Sequence, residues 1–168
     1  MKVFEAVRTV LAVRSYKSKP VPPDVTRRIV EAGHLTASSM NLQPWHFIVV
    51  EDPAMLKKLG AVVAYGPYIA QAAMAIVVVI EKTRFSVSDA SRAIQSMVLT
   101  AWEEGIGSNW AGFFEMGAVN PLLGIPEELD VLAIVPFGFP AQEIGKGLKK
   151  RKPLSEVVSK EKFGQPYK

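Results

Sequence analysis

Apolar residues recur along this chain at two spacings, and the switches between them mark its elements. Val3, Phe4, Val7, Val10 and Leu11 fall at helical spacing and predict an amphipathic helix over residues 2–12. Pro20, Pro22 and Pro23 form a stiff connector, after which Asp24 opens a second helix with the stripe Val25, Ile29 and Val30, ending near Gly33. His34, at that end, reads as a partner of the helix dipole or a packing residue. An aromatic and β-branched run over residues 45–51 predicts a strand. Asp52-Pro53 signals the cap of a third helix that carries Leu56 and Leu59 and stops near Gly60, and Tyr65-Gly66-Pro67-Tyr68 reads as a turn. The unbroken β-branched run 76–80 predicts a central strand buried on both faces. Ser88 and Asp89 open the longest helix, about residues 90–104, closed by Gly105 and Gly107. Ala93, Ile94, Met97, Val98, Leu99, Ala101 and Trp102 make it apolar on more than one side, which suits a subunit interface. Residues 109–114 read as a strand or extended loop, in which Gly112 marks either a close approach to the backbone or a β-bulge. A short helix over 116–123 and a last strong strand over 131–137 come next. From Ala141 onward the chain is polar, basic and poorly periodic, a tail either loose or laid across a partner.

Between the second helix and the first strand lies a polar stretch, Ser38-Ser39-Met40-Asn41-Leu42-Gln43-Pro44. Its side chains carry hydroxyls and amides but no charge. Asn and Gln each offer a donor and an acceptor, which suits a flat heterocycle with alternating donors and acceptors. Residue type alone favours an ordinary polar connection between helix and strand.

Composition narrows the chemistry. The chain has 168 residues and no repeat, low-complexity stretch or internal linker, so a single domain over 1–168 is expected. There is no cysteine, which excludes disulfides, thiolate metal sites, iron–sulfur clusters and a cysteine nucleophile. His34 and His46 are the only histidines, no carboxylate spacing converges on them, and no metal site is expected. No G-x-S-x-G elbow is present. An enzyme built from these side chains therefore needs a bound cofactor for its reactivity. No apolar run approaches the ~20 residues of a membrane span. The N-terminus lacks the apolar core of a signal peptide, so no membrane association and a cytoplasmic location are expected.

The net charge of +4 is local. Arg14, Lys17 and Lys19 form one basic group, and Lys146, Lys149, Lys150, Arg151 and Lys152 a second. Nucleic acid, a phosphate-bearing ligand or solvent could each answer such clusters. The aromatics sit in apolar strands, not between exposed cations, which argues against a nucleic-acid platform. Arg14-Ser15-Tyr16-Lys17 packs two cations and a hydroxyl into four residues, a plausible phosphate grip.

In order, these landmarks resemble the nitroreductase family of FMN-dependent homodimeric oxidoreductases. The resemblance runs nearly end to end: Val13-Arg14-Ser15-Tyr16-Lys17 with its proline connector, Asn41-Leu42-Gln43-Pro44-Trp45-His46-Phe47, Gly105-Ile106-Gly107, Ala111-Gly112-Phe113, and the basic Lys149-Lys150-Arg151-Lys152-Pro153-Leu154. The second of these is the most specific. The resemblance implies an α+β fold, a mainly antiparallel sheet flanked by helices, in an intertwined homodimer whose residues 141–168 form an arm toward the partner subunit. It implies FMN bound by Arg14, Ser15 and Lys17, with Lys149 and Arg151 completing the phosphate site. Ser38, Ser39, Met40, Asn41 and Gln43 would line the flavin, Gln43 less certainly, with the serines supplied by the other subunit. The backbone of Ala111 and Gly112 would lie near flavin N5. No side chain is expected to be catalytic, because the flavin carries the hydride from NADH or NADPH to a nitroaromatic, quinone or similar small-molecule acceptor. The alternative is a flavin protein of the same fold with little turnover or a specialised reaction, such as dehalogenation or flavin fragmentation. Two departures stand out: Val13 occupies a position where the family commonly has Arg, and the short stretch from Glu81 to Ser88 leaves little to cover a pocket. His46 reads as strand packing.

Overall fold

Seven apolar residues in a row, Met74–Ile80, form β2, and the rest of the fold is arranged about it. The computed structural model describes residues 1–112, 116–144 and 149–167. Every residue of β2 is buried, and alternate residues enter two different cores because a strand's side chains alternate faces. Met74, Ile76, Val78 and Ile80 meet α2 (Pro23–His34) and α4 (Ser86–Glu103) through Ile29, Ile94 and Met97. Ala75, Val77 and Val79 meet α3 (Pro53–Val62), Ile69 and α5 (Val119–Leu123) through Leu56, Leu59 and Val119. Each large side chain buried this way stabilises the fold by about 1.5–3 kcal/mol. The layers are therefore helix, sheet, helix.

β2 pairs antiparallel with β1 (Trp45–Val50) on one side and β5 (Asp130–Gly138) on the other. The register to β5 shifts between Val78 and Val79, leaving Leu132 as the extra residue. Leu132 and Ala133 consequently join the same core although they are neighbours in sequence. The short strands β3 (Gly107–Ser108) and β4 (Ala111–Gly112) also pair antiparallel with β5. The strand order is β1-β2-β5-β3, so β1 is an edge. This is the mainly antiparallel, helix-flanked sheet expected.

Several local expectations are corrected. α4 begins at Ser86, earlier than residue type suggests. Asp89 does not cap it; its carboxylate is buried and turned to another segment. α2 likewise begins at Pro23, with Asp24 inside its first turn. His46 is exposed, not packed. Gly112 does mark a close approach, but the approaching backbone is the chain's own: a Cβ there would stand 2.7 Å from the Leu132 carbonyl oxygen.

The first helix, α1, spans only Val3–Thr9 and buries Ala6 and Thr9 in place of its apolar stripe. Val3 and Phe4 are each 77% exposed. Trp102 Nε1 donates to Thr9 Oγ1 at 2.9 Å and docks this helix on α4. At the far end of the chain, α6 (Leu154–Val157) is followed by a bridge from Ser159 to Pro166, and Leu154, Val157, Phe163 and Tyr167 are exposed. Phe113, Phe114 and Lys146 lie outside the described residues. No described helix is long and apolar enough to cross a membrane.

Candidate functional site

The end of α1, the middle of α4 and the strand β3 enclose a cleft of about 430 Å³. Val7, Val10, Leu11, Ile94 and Val98 make its wall apolar, Gln95, Ser108, Asn109 and Trp110 add polar groups, and Lys149 and Arg151 close one side. Cations separated from α1 by most of the chain thus reach its side. The anchor is Lys149 Nζ, which donates to the Val7 carbonyl at 2.6 Å. That carbonyl lies in the last turn of α1, where helix acceptors lack intrahelical partners and favour a cation. Burial, and secondarily the neighbouring Arg151, pushes the Lys149 ammonium below its ordinary value. An anion in the cleft would reverse that tendency.

Arg14 reaches the cleft through intermediaries. Its guanidinium lies 5.9 Å over the Tyr68 ring, and Asn109, in the cleft wall, donates through Nδ2 to the Tyr68 hydroxyl. Ser15 and Lys17 do not line the cleft. The Ser15 carbonyl accepts from the Ala141 amide at 3.0 Å, and the Lys17 amide donates to the Phe139 carbonyl at 2.8 Å, which leaves the Lys17 side chain exposed. Between them Tyr16 is buried, and its hydroxyl donates to the Val13 carbonyl at 2.7 Å. Burial pushes that phenol far above its ordinary range, so it stays a neutral donor. Val13 itself is core: a Cβ on Gly107 would come within 2.3 Å of its Cγ2. The position where an Arg was expected serves packing against β3.

Ser38, Ser39, Met40, Asn41 and Gln43 stand elsewhere, at the other end of α4. The Ser39 amide donates to Asp89 Oδ2 at 2.9 Å and the Ser39 hydroxyl to Asp89 Oδ1 at 3.0 Å. Arg92 also donates to Oδ1. Burial pushes the Asp89 carboxyl up, but the Ser39 bonds and the Arg92 guanidinium outweigh it and hold it below the usual carboxylate range. Within the loop, the Gln43 amide donates to Ser38 Oγ at 2.9 Å and Gln43 Nε2 to the Asn41 carbonyl at 3.1 Å. Met40, Asn41 and Gln43 have φ of 52°, 56° and 51°. Left-handed backbone costs a non-glycine residue on the order of 1–2 kcal/mol, less for Asn. The exposed loop is thus strained and held by its own hydrogen bonds and by Asp89.

None of these loop residues lines the cleft within one chain. Asp89 holds the loop and Trp102 holds α1, and at roughly 1.5 Å per residue they are about 20 Å apart along α4. Ala111 and Gly112 lie in β4, directly after Trp110 of the cleft wall; Ala111 is buried and Gly112 half-buried. Sequence reasoning missed Tyr68, Asn109 and Asp89. Asp89 carried a readable signal, since an acid on a helix apolar nearly all round needs a partner if buried. Tyr68 and Asn109 carried none, because they are joined only by the fold.

Comparison with known proteins bears on this arrangement. Residues 8–83 and 64–139 match the model of the Nitroreductase family. A protein of Archaeoglobus fulgidus, provisionally named an NADH dehydrogenase/NAD(P)H nitroreductase, is 36% identical over 150 residues, covering 83% of this chain and 86% of its own. A Methanothermobacter thermautotrophicus protein of the same provisional name is 32% identical over 154 residues, covering 86% and 81%. A crystal structure from Desulfovibrio desulfuricans, a provisionally assigned nitroreductase in complex with FMN, superposes with a TM-score of 0.84 at 29% identity, covering 97% of this chain and 98% of its own.

Proposed function

The chain belongs to the nitroreductase family, and from that premise we propose that it is an FMN-dependent NAD(P)H oxidoreductase working as a homodimer. The observation that carries the reading is the cleft itself. Cations, an apolar wall and amide groups meet there, in a chain without cysteine, and that set matches a flat, partly apolar ring bearing a phosphorylated chain. When bound, FMN supplies the redox chemistry, accepting hydride from NADH or NADPH and passing it to a nitroaromatic, quinone or similar acceptor.

The chain's residues bind and orient. Lys149 and Arg151 would hold the phosphate with Arg14, Ser15 and Lys17 beside them. Arg14 offers a directional fork that Tyr68 keeps in place, and Lys17 a mobile point charge. The backbone of Ala111 and Gly112 would lie beside flavin N5, where an amide donor stabilises added negative charge. Ser38, Ser39, Met40, Asn41 and Gln43 would come from the second subunit. In one chain the loop is tied to Asp89 near the start of α4 and none of its residues lines the cleft, which supports this. So do the exposed apolar face of α1 and the exposed Leu154, Val157, Phe163 and Tyr167. We read residues 1–168 as one domain, with 141–168 its arm to the partner, and a nicotinamide reductant favours a cytoplasmic setting.

The burial of Val13 favours a second reading, a flavin protein of this fold with little turnover, because one phosphate cation of the family is missing. One experiment separates the two. The purified protein should be yellow and release FMN on denaturation, and anaerobic stopped-flow mixing with NADH or NADPH should bleach the flavin band. Bound flavin that neither nicotinamide reduces selects the second reading. A colourless protein that takes up no added FMN overturns both.

A further inference from the structure

We propose that Asp89 is a positioning residue for the cofactor ring: from inside α4 it presets the Ser38–Gln43 loop in the shape a second subunit's flavin meets. The proposal rests on the flavin reading above. Every atom of Asp89 is shielded from solvent, at 0% exposure, while the other buried positions along α4, Ser86 apart, are Ala90, Ala93, Ile94, Met97 and Ala101. Packing alone asks for another apolar residue there. A carboxylate is acceptor-only and can take two donors at once. Here it takes the Ser39 amide on one oxygen and the Ser39 hydroxyl on the other, with Arg92 as its cationic partner. Both bonds from outside the helix therefore go to the first residue of the short turn Ser39–Asn41.

The backbone just beyond Ser39 explains the need for a fixed point. Met40, Asn41 and Gln43 are left-handed, and such backbone persists only where its surroundings over-determine it. The bonds inside the loop, Gln43 to Ser38 and Gln43 to Asn41, set its internal shape but tie it to nothing else. Asp89 supplies the tie. Without it the Ser39 amide loses its acceptor and the loop can relax away from α4, moving Ser38, Ser39 and Asn41 together.

The test uses two tagged versions of the full chain, co-expressed and isolated as a heterodimer. One carries Asp89→Ala; the other carries Arg14→Ala and Arg151→Ala in the phosphate site. Each homodimer should bind FMN at least tenfold more weakly than wild type, with unchanged far-UV circular dichroism. The heterodimer should bind one FMN per dimer at near wild-type affinity, because one of its two sites joins an intact phosphate cluster to an intact loop from the other chain. A merely structural lesion at Asp89 would spoil the cluster of its own chain and leave the heterodimer empty, which overturns the proposal. Equal FMN affinity in wild type and Asp89→Ala overturns it as well, leaving the flavin reading standing. Wild-type protein that takes up no FMN sinks the flavin reading itself. Ser39→Ala, which keeps the amide bond, should weaken FMN less than Asp89→Ala and add little to it in the double variant.

Discussion

The start and the middle of α4 stand beside polar groups handled in opposite ways. At its start a single carboxylate is buried and fully engaged, and the loop it holds is strained but shaped in advance. Beside its middle the charges are cationic and more open: Arg14 and Arg151 are exposed, Lys149 is half-buried, and their protein partners are a ring face and backbone carbonyls. None of these cations is neutralised by a carboxylate among the described contacts. The contrast fits a division of labour. A neutral ring is read by fixed hydrogen-bonding groups, whose value lies in geometry that costs nothing to assemble at binding. A phosphate is captured by charge, which tolerates more mobile partners. The start of α4 holds a preset loop, and the cleft beside its middle carries cations without a carboxylate partner among the described contacts.

Three measurements can break or sharpen this contrast. The largest effect is expected at the cationic cleft. Arg14→Ala and Arg151→Ala should each weaken FMN binding by roughly 10- to 100-fold, since a charge-assisted hydrogen bond contributes about 1.5–3 kcal/mol. The loss should shrink as salt rises, because exposed charges are screened. Fluorescence titration at low and high salt checks both, and unchanged affinity in both variants refutes the phosphate site.

A smaller effect should result from Gly107→Ala. The added methyl group would collide with Val13, and overpacking of this kind costs about 1–3 kcal/mol. Val13→Ala in the same chain should restore only part of the denaturation midpoint, because it removes the Cγ2 at 2.3 Å and leaves the Cβ at 2.7 Å. An unchanged midpoint on adding Val13→Ala would show that the loss in Gly107→Ala does not come from the Val13 contact.

The smallest effect concerns acid. The Asp89 carboxyl lies below its ordinary value in the folded chain. Its ionised form therefore contributes stability at pH values above its unfolded value near 4, and this is lost as pH falls through the folded value. Wild type should lose thermal stability toward acid more steeply than Asp89→Asn below about pH 4. Parallel curves would mean that the carboxylate is not the species holding the loop.

Much of the fold was legible in residue type. The β-branched run of β2 announced a strand buried on both sides, and Asp52 caps α3 as its position before Pro53 suggested, accepting from the Ala54 and Met55 amides. The candidate site was legible only in pieces. The spacing of Arg14, Ser15 and Lys17 suggested a plausible phosphate grip, but spacing did not show that Ser15 and Lys17 use their backbone on residues 139–141 while Arg14 lies over Tyr68. The periodicity of α1 was real, yet its stripe faces outward, because a period shows which residues share a face and not what that face meets.

By itself, then, the sequence determined what depends on neighbours along the chain: the helix and strand periods, the N-cap of α3, the absence of thiol chemistry, and the residue types able to meet a ring and a phosphate. Tertiary structure alone decided what depends on partners distant in sequence. It turned Asp89 from an apparent helix opener into the anchor of the loop and set Val13 against Gly107. It also tied the loop to the start of α4 and set the cationic cleft against the middle of that helix. The reason is physical: a period is a property of a few adjacent dihedrals, whereas the partner of a buried carboxylate is chosen by how the whole chain closes.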